Sequence, residues 1–314
     1  MVADAVDAST PGMLAGKVAV ITGSSAGLGL AIARAYADAG AQVVVSSHLP
    51  DAIVRAVAWL RDAGAAVEGW SCDVRELAQV VALGDMARAA FGAIDIWVNN
   101  AGVTAAQGPT AAVAPAGFTR VVQTNILGTY HGSLVALQHM AQRGQGKLIN
   151  IVGQGEQRPN PYGNAYGASK AWIRSFSLAL AAEERAHGIG VFTLNPGLLD
   201  TALTREMTVV AGYEGRARAF DRIARLLAAP PEEAARLALW LASPATDGRT
   251  GIELRAPLGR RLLRGLVREA ARSILRLPAP PRVRYQVVPA SDVITAARPI
   301  TDGGGATDPT ARIS

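Results

Sequence analysis

Tyr166 and Lys170 stand four residues apart in the segment NAYGASK, residues 164–170. On a helix this spacing places both side chains on one face. A phenol beside a fixed positive charge loses its proton more easily than its usual pKa of about 10 allows. Such a tyrosine can act as a general acid or base toward a ketone or an alcohol. The same spacing is also common on solvated helix surfaces, where such a pair contributes roughly 0.2–0.5 kcal/mol to helix stability. The catalytic interpretation of the pair therefore depends on other motifs in the chain.

A glycine-rich turn, GSSAGLG at residues 23–29, lies near the start of the chain. An apolar run at residues 17–22 precedes it, and the alanine-rich stretch at residues 30–39 predicts a helix after it. Glycines let the backbone turn sharply and approach a ligand closely, and the N-terminal end of the helix attracts a pyrophosphate. Strand, turn and helix in this order predict a dinucleotide-binding site rather than a structural turn.

The elements that must position these motifs alternate between strand and helix. Ligands of such alternating folds bind beyond the carboxyl ends of the strands, where Gly23, Asn99, Gly153 and Pro196 are expected. Between the strands lie helical stretches rich in alanine and leucine, so the sequence predicts an α/β fold with a doubly wound parallel sheet covered on both faces. Residues 198–229 are too many for a simple connection and predict a lid that selects the substrate. The predicted strands are Val18–Thr22, Gln42–Ser46, Ala66–Ser71, Ile94–Asn99, Lys147–Val152 and Gly190–Asn195.

Several further motifs accompany these two, and they occur in one unbroken order between Leu14 and about Leu254. They are Thr22-Gly23-x-x-x-Gly27-x-Gly29, Cys72-Asp73-Val74, Asn99-Asn100-Ala101-Gly102, Asn125 before Gly128, Tyr166-x-x-x-Lys170, Asn195-Pro196-Gly197 with Thr201, and Pro231-Glu232-Glu233. With these motifs the chain resembles the short-chain dehydrogenase/reductase family.

This resemblance implies a Rossmann-like oxidoreductase that transfers a hydride between a nicotinamide cofactor and a carbonyl/alcohol substrate. Tyr166 would be the acid/base, Lys170 would lower its pKa and hold the nicotinamide ribose, and Asn125 would bend a helix within a proton relay. The resemblance further implies that the other cofactor-binding residues are Asp73 at the adenine, Asn99, Ala101 and Gly102 beside the adenosine ribose, and Thr22, Gly23, Ser25, Gly27, Leu28, Gly29, Ser47, His48, Val74, Pro196, Gly197 and Thr201.

The chain departs from the family where a serine usually holds the substrate oxygen, about thirteen residues before the tyrosine. Gly153 occupies that position, and no serine or threonine lies between Lys147 and Tyr166. Loss of one oxyanion donor typically costs about 2.7–4 kcal/mol of transition-state stabilisation. The amide of Gln154 is the candidate replacement, although a polar loop residue is an equally good interpretation. Gly153 therefore keeps open an alternative function, an NAD(P)-binding protein with little or no turnover that acts as a sensor or scaffold.

The end of the second predicted strand bears on the choice of cofactor. A relative that prefers NAD would carry an acid at position 47 to accept a hydrogen bond from the ribose 2′-hydroxyl. Ser47 is neutral and leaves room for a 2′-phosphate, with His48 as the nearest basic residue, while Ala26 stands where a basic residue usually pairs with that phosphate. We expect NADP, with NAD as the alternative. The histidines share no metal-like spacing, so no metal site is expected.

Composition favours a cytoplasmic enzyme. Half of the 314 residues are hydrophobic, and the single cysteine, Cys72, excludes an internal disulfide. No apolar run reaches the roughly 18 residues of a membrane span, and residues 1–11 lack the basic and apolar pattern of a signal peptide. We expect a flexible tail at residues 1–13, one oxidoreductase domain at residues 14–254, and a small-molecule carbonyl or alcohol substrate. A homo-oligomer is also expected, with Trp172 and Phe176 on a candidate interface helix.

The segment after Leu254 carries the positive charge of the chain. Residues 255–284 contain nine arginines and one acid, a net charge of +8 against +6 for the whole chain, which leaves −2 for the remainder. We expect residues 255–314 to form a basic amphipathic helix and a mobile tail, with a short edge strand at residues 284–288. Helical spacing places Leu263, Leu266, Val267, Ala270, Ile274 and Leu277 on one side and Arg261, Arg264, Arg268, Arg272 and Arg276 on the other.

An apolar stripe of this kind needs a partner surface. We expect the enzyme body or a second subunit to bury it and to leave the arginines solvated. Peripheral membrane contact through residues 260–277 is the alternative. Nucleic acid is not expected as a partner, because no aromatic residues are interleaved with the arginines.

Overall fold

The computed structural model describes residues 12–278 and 281–291. The predicted tails at residues 1–11 and 292–314 lie outside the described residues. The strands are β1 (Val18–Ile21), β2 (Gln42–Ser47), β3 (Val67–Ser71), β4 (Ile96–Asn99), β5 (Gly146–Ile151), β6 (Ile189–Asn195), β7 (Glu206–Val210), β8 (Ile252–Arg255) and β9 (Arg284–Val288). The helices are α1 (Gly27–Asp38), α2 (Pro50–Asp62), α3 (Leu77–Phe91), α4 (Pro115–Val121), α5 (Gly128–Ala141), α6 (Asn164–Glu183), α7 (Ala202–Arg205), α8 (Glu214–Leu227), α9 (Pro231–Ala242) and α10 (Gly259–Ile274).

Seven strands form one sheet in the order β3-β2-β1-β4-β5-β6-β8, and every neighbouring pair is parallel. The prediction of a doubly wound parallel α/β fold is confirmed. The chain leaves β1 toward β2 on one side and returns to β4 on the other, so the strand order reverses between β1 and β4. Such a switch point opens a crevice at the carboxyl ends of the strands.

Helices cover both faces of the sheet, which explains why its strands are continuous apolar runs in the sequence. On one face α1, α2 and α9 pack over the sheet, and on the other α3, α5 and α6 do so. Large buried side chains such as Tyr36 and Trp97 fill these layers. The Tyr36 hydroxyl donates to the carbonyl oxygen of Ala238 at 3.0 Å and joins α1 to α9. The sheet is therefore a rigid base for the loops at its carboxyl edge.

The predicted lid, residues 198–229, folds as α7, β7 and α8. Strand β9, the predicted edge strand, pairs in parallel with β7 and not with the main sheet. A carboxylate oxygen of Asp221 on α8 accepts from the backbone N–H groups of Arg282 and Val283 at 2.7 and 3.0 Å. The main-chain N–H of Gln107 also donates to the oxygen of Thr208 on β7 at 2.8 Å. The C-terminal segment thus braces the lid from outside the main sheet.

Helix α10 confirms the predicted basic helix but not its orientation. Arg261 is buried, and its guanidinium donates to the oxygen of Pro196 at 3.1 Å and to Glu233 at 3.2 Å. The apolar side faces outward, and Ile274 is 80% exposed. We expected the enzyme body or a second subunit to bury the apolar stripe; the enzyme body does not, and burial by a second subunit stays a prediction. The physical reason is that the body offers α10 a carboxylate and carbonyl oxygens, which guanidinium groups satisfy and leucines do not.

Candidate active site

A cavity of about 1290 Å³ opens at the carboxyl ends of the strands and is closed on one side by the lid. Its wall begins at the glycine turn, passes the ends of the strands and reaches the start of α6. Most of the predicted site residues lie along this one wall. They are Gly23, Ser25, Gly27, Leu28, Ser47, His48, Asp73, Val74, Ala101, Gly102, Gln154, Tyr166, Lys170, Pro196, Gly197 and Thr201.

The glycine turn, residues 23–29, forms a cradle in which Gly23 and Gly29 pack too closely against neighbouring residues to carry side chains. A Cβ on Gly23 would lie 2.8 Å from the Cα of Ala101, and Gly23 has a positive φ of 62°. A Cβ on Gly29 would lie 2.5 Å from the carbonyl oxygen of Gly23. The turn leads directly into α1, whose first N–H groups lack intrahelical acceptors. These features fit the pyrophosphate of a dinucleotide.

Two predicted residues support the cradle from behind the cavity wall. The hydroxyl of Thr22 is buried and accepts from the backbone N–H groups of Asn100 and Ala101 at 3.1 and 3.2 Å. Gly29 lets α1 approach this loop. The amide of Asn100 lines the cavity and donates to the carbonyl oxygens of Thr22 and Gly23, each at 2.9 Å. Asn100 was not among the predicted site residues, although its motif was recognised.

Asn99, predicted beside the adenosine ribose, lies in a buried polar network beneath the cavity. Its side-chain oxygen accepts from the indole N–H of Trp97 at 2.8 Å. Its amide nitrogen donates to the side-chain oxygen of Asn150 at 2.9 Å and to the hydroxyl of Ser133 at 3.1 Å. These contacts join β4, β5 and α5, and the role of Asn99 beside the adenosine ribose stays a prediction.

Asn125 lies in a π-helical turn, Val122–Leu127, between α4 and α5. Its side-chain oxygen accepts from the N–H of Val103 at 2.8 Å, and its nitrogen donates to the oxygen of Val103 and to the hydroxyl of Ser169, each at 3.0 Å. Single π-turns of this kind are frequent at functional sites. The distorted helix at Asn125 has the expected geometry, while its part in a proton relay stays a prediction.

Tyr166 and Lys170 lie one turn apart on α6, as their spacing predicts. The ammonium of Lys170 lies 5.5 Å from the centre of the Tyr166 ring and donates to the carbonyl oxygen of Ile151 at 2.8 Å. Burial raises the pKa of Tyr166 to about 12 and lowers the pKa of Lys170 to about 8. The direction for Tyr166 is opposite to the one predicted from its distance to Lys170, because poorly solvated surroundings disfavour the charged forms of both groups.

Glu156 is a charged residue near this pair that the sequence analysis missed. It is 8% exposed, accepts from the amide of Asn195 at 2.9 Å and pairs with the guanidinium of Arg255. Its second oxygen is buried and has no hydrogen-bond partner among the described residues. The negative charge of Glu156 raises the pKa values of both Tyr166 and Lys170, as a secondary cause after burial. The only signal in the sequence is an isolated acid in a glycine-rich segment.

Gly153 and Gln154 occupy the wall opposite Tyr166. A Cβ on Gly153 would lie 2.8 Å from the hydroxyl oxygen of Tyr166. Gln154 lines the cavity, is exposed, and donates from its amide to the side-chain oxygen of Asn160 at 3.2 Å. Because this bond uses one of two amide hydrogens, the other stays available toward the cavity. The proposed oxyanion role of Gln154 stays a prediction.

The cofactor-selecting corner contains Ser47, His48 and a further basic residue, Arg75. The Ser47 hydroxyl is buried and accepts from the N–H of Leu49 at 3.2 Å. Arg75 lines the cavity, and its Nε donates to both carboxylate oxygens of Asp73 at 2.9 Å. This contact holds the pKa of the Asp73 carboxyl below its usual range. Arg75 was not predicted because it lies beyond β3, whereas the prediction of cofactor choice rested on the glycine turn and the end of β2.

Under the lid, the cavity wall combines a group of apolar side chains with the polar residues Gln107, Thr204 and Glu206. Val113 contributes from the loop before α4, and the other apolar residues of this wall come from α7, β7 and α8. They are Leu203, Met207, Phe220, Ile223 and Leu227. Within the described residues, no group of three or more histidine, cysteine, aspartate or glutamate side chains is arranged to hold a metal ion.

Comparison with known proteins agrees with this geometry. The short chain dehydrogenase family profile matches residues 17–209. The 3β-hydroxysteroid dehydrogenase 1 of Eggerthella lenta is 35% identical over 243 residues, which cover 77% of this chain and 92% of the relative.

Solved structures show the same fold. A gluconate 5-dehydrogenase from Burkholderia cenocepacia in complex with NADP and tartrate is 32% identical, with a TM-score of 0.71, and the match covers 83% of this chain and 99% of that one. A 3-ketoacyl-(acyl-carrier-protein) reductase from Brucella melitensis complexed with NADH is 31% identical, with a TM-score of 0.70 over 79% of this chain and 99% of that one. The relatives are covered almost completely, so this chain carries residues beyond the shared domain.

Proposed function

Because the chain belongs to the short-chain dehydrogenase/reductase family, we propose that it is an NADP(H)-dependent oxidoreductase acting on an apolar ketone and the corresponding secondary alcohol. The observation that carries the proposal is the shared wall of the cavity. One continuous surface leads from the glycine cradle at Gly23 to the hydroxyl of Tyr166 and on to the apolar underside of the lid. The dinucleotide, the acid/base group and the apolar substrate each have a place along this surface.

The cradle fits a nicotinamide dinucleotide, because its glycines allow the tight turn that brings the first residues of α1, whose N–H groups lack intrahelical acceptors, to the cavity wall. A bound nicotinamide supplies the hydride in reduction and accepts it in oxidation. Lys170 lines the cavity, and the family resemblance implies that it holds the nicotinamide ribose.

Tyr166 is the proposed acid in the direction of reduction. The carbonyl carbon gains the hydride, and the carbonyl oxygen takes the proton of the Tyr166 hydroxyl. A raised pKa of about 12 keeps Tyr166 protonated at neutral pH, which suits an acid. Lys170 and Asn125 then return a proton to the phenolate from water. Gln154 is the proposed donor to the substrate oxygen where Gly153 replaces the usual serine.

We propose NADP(H) as the preferred cofactor because Ser47 leaves the ribose pocket without an acid. His48 and Arg75 add basic character to the same wall, although Arg75 is engaged with Asp73. The related structures contain NADP in one case and NADH in another, so the family does not decide the preference. The local charges support the phosphorylated form.

An apolar substrate is supported by Met207, Phe220 and Ile223, which give the lid an apolar surface toward the cavity. One relative at 35% identity is named for a hydroxysteroid and another for a hydroxycyclohexanecarboxylate. Both names describe a secondary alcohol on an alicyclic ring. We therefore place alicyclic ketones first among candidate substrates.

The test is a reductase assay with NADPH and NADH against a steroid ketone, a substituted cyclohexanone and a ketose. NADPH-dependent turnover of the alicyclic ketones above the ketose supports the proposal. Tight NADPH binding by calorimetry, with no turnover of any ketone or of the matching alcohols with NADP, would favour the sensor or scaffold alternative instead.

We further propose that the enzyme is cytoplasmic and forms a homo-oligomer. Support for the oligomer comes from apolar residues left exposed on α4 and α5, where Phe118 is 42% and Tyr130 43% exposed. The Trp172 and Phe176 rings stack at 4.7 Å on the neighbouring α6, and Tyr130 makes an edge contact with Phe176. Sedimentation velocity of the purified chain measures this directly. No helix among the described residues is long and apolar enough to cross a membrane.

A further inference from the structure

Helix α10 presents a continuous apolar stripe to solvent. Leu263, Leu266, Val267 and Ile274 are 64%, 51%, 62% and 80% exposed. Their spacing places all four on one side of the helix, and Leu277 just beyond its end is also exposed. Most other exposed apolar residues of the described chain are scattered over several elements, and such single residues are normal. A stripe of this length marks an interaction surface.

The opposite side of α10 is held by contacts that leucines cannot replace. Arg261 is 6% exposed and binds Glu233 together with the carbonyl oxygen of Pro196. Arg268 donates to the carbonyl oxygen of Arg225. At Gly265 the helix lies so close to α8 that any added Cβ would overlap the backbone of Leu226. Rotating α10 to bury its leucines would break these contacts, so the stripe is fixed outward.

Charge selects the partner for this surface. Residues 255–284 carry a net charge of +8, while the remainder of the chain carries −2. Arg264 flanks the stripe and is 69% exposed at its side chain while it binds Glu233. If the stripe were covered by the same helix of a second copy, the exposed arginines at and just beyond the helix, Arg264 and Arg276, would face their counterparts and repel them. An anionic lipid surface offers both an apolar layer for leucines and negative charge for arginines.

We propose that α10 is a peripheral membrane anchor that lays its leucine stripe into the surface of an anionic bilayer. The arginines inside the fold hold the helix in this orientation, and those at its edge meet the lipid headgroups. Leu258, which immediately precedes α10, is exposed and lines the cavity. The anchor therefore lies next to the cavity that receives the substrate. This inference does not depend on the oxidoreductase activity.

The experiment compares the full-length protein with a triple variant in which Leu263, Val267 and Ile274 are each replaced by glutamate. The matched control places three glutamates at exposed apolar positions on α2 and α3, by the substitutions Val54→Glu, Leu77→Glu and Val81→Glu. Both variants change the net charge equally. Cosedimentation is measured with vesicles of phosphatidylcholine alone and with an equimolar mixture of phosphatidylcholine and phosphatidylglycerol.

The parent and the control should bind the anionic vesicles in low salt, and binding to neutral vesicles should be weaker. The α10 triple variant should bind at least about tenfold less, because each replacement removes a buried apolar contact and adds repulsion. Its melting temperature and NADPH affinity should match those of the control, which shows that it is folded.

Three results would overturn the proposal. The parent could fail to bind either kind of vesicle, or the α2/α3 control could lose as much binding as the α10 variant. Alternatively, sedimentation velocity could show that the α10 variant, unlike the control, dissociates an oligomer of the parent, in which case a second copy of the chain covers the stripe.

Discussion

The hydroxyl oxygen of Tyr166 lies 2.8 Å from the position that a Cβ on residue 153 would occupy. Real Cβ atoms do not approach a neighbouring atom this closely, so Gly153 provides room for the hydroxyl. The family resemblance predicts a serine at this position, and here the Tyr166 hydroxyl takes the space beside the glycine.

This contact predicts the effect of refilling residue 153. Gly153→Ala should lower kcat by about tenfold to a hundredfold, because displacement of a catalytic atom by about 1 Å costs up to that much. Gly153→Ser should be as slow or slower unless its hydroxyl replaces Gln154 as the donor. Steady-state kinetics with both variants separates the two effects, since alanine adds the Cβ without the hydroxyl. An alanine variant as active as the parent would contradict the steric interpretation.

Removal of the Tyr166 hydroxyl tests the acid itself. Tyr166→Phe should lower kcat for ketone reduction by roughly 10²–10⁴-fold, the usual contribution of general acid catalysis. NADPH affinity, measured by calorimetry, should change little. Tyr130→Phe is the matched control, because Tyr130 is exposed on α5 and does not line the cavity. Turnover of the Tyr166 variant within a few-fold of the control would exclude Tyr166 as the proton donor.

The fold and much of the cavity wall could be predicted because local patterns determine them. An apolar run predicts the strand that begins at Val18, and the glycines from Gly23 to Gly29 predict the turn that follows it. Asn99 shows the limit of such patterns. A motif identifies the residue in the sequence, but it does not show whether the side chain lines the cavity or lies beneath its wall. Its neighbour Asn100 lines the cavity instead, just beyond the end of β4.

Contacts between residues that are distant in sequence could not be predicted, because no local pattern indicates them. Glu156 meets Arg255 across 99 positions of the sequence, and Arg75 reaches the cavity only because β3 lies beside β2. The orientation of α10 was predicted the wrong way round for a similar reason. Amphipathic spacing shows that a helix has two faces, while the acceptors at Glu233 and Pro196 decide which of them packs inward.

Cofactor choice is expected to depend on Ser47. Ser47→Asp should weaken NADPH binding by about tenfold or more, because a carboxylate repels the 2′-phosphate, and should strengthen NADH binding through the ribose 2′-hydroxyl. Calorimetric titration of parent and variant with both coenzymes gives the ratio of the two affinities. The two titrations of each protein control for its folding, because loss of binding to both coenzymes together would indicate misfolding. An unchanged ratio would place the selectivity elsewhere, with Arg75 as the next candidate.

Glu156 is predicted to set the alkaline limit of activity. Its charge raises the pKa of Lys170, which burial lowers to about 8. Glutamine is neutral and does not raise the pKa of Lys170. In Glu156→Gln the lysine therefore loses its proton at a lower pH than in the parent. The alkaline limb of kcat/KM against pH should therefore move toward lower pH. Glu253→Gln on β8 is a control, because that carboxylate pairs with Arg174 on the surface. Superimposable profiles of the two variants would show that Glu156 has only a structural role.

The docking of α10 on the lid should depend on Gly265. Alanine at this position would overlap the backbone of Leu226 on α8, and overpacking of this kind costs roughly 1–3 kcal/mol. Gly265→Ala should therefore lower the melting temperature and speed hydrogen exchange in α10 and α8. Gly259→Ala on the same helix is the matched control, since nothing lies within 4 Å of its added Cβ and alanine favours the helix by about 0.5–1 kcal/mol over glycine. If both variants are equally stable, α10 is not packed against α8 through Gly265, and the outward orientation of its leucines loses its main support.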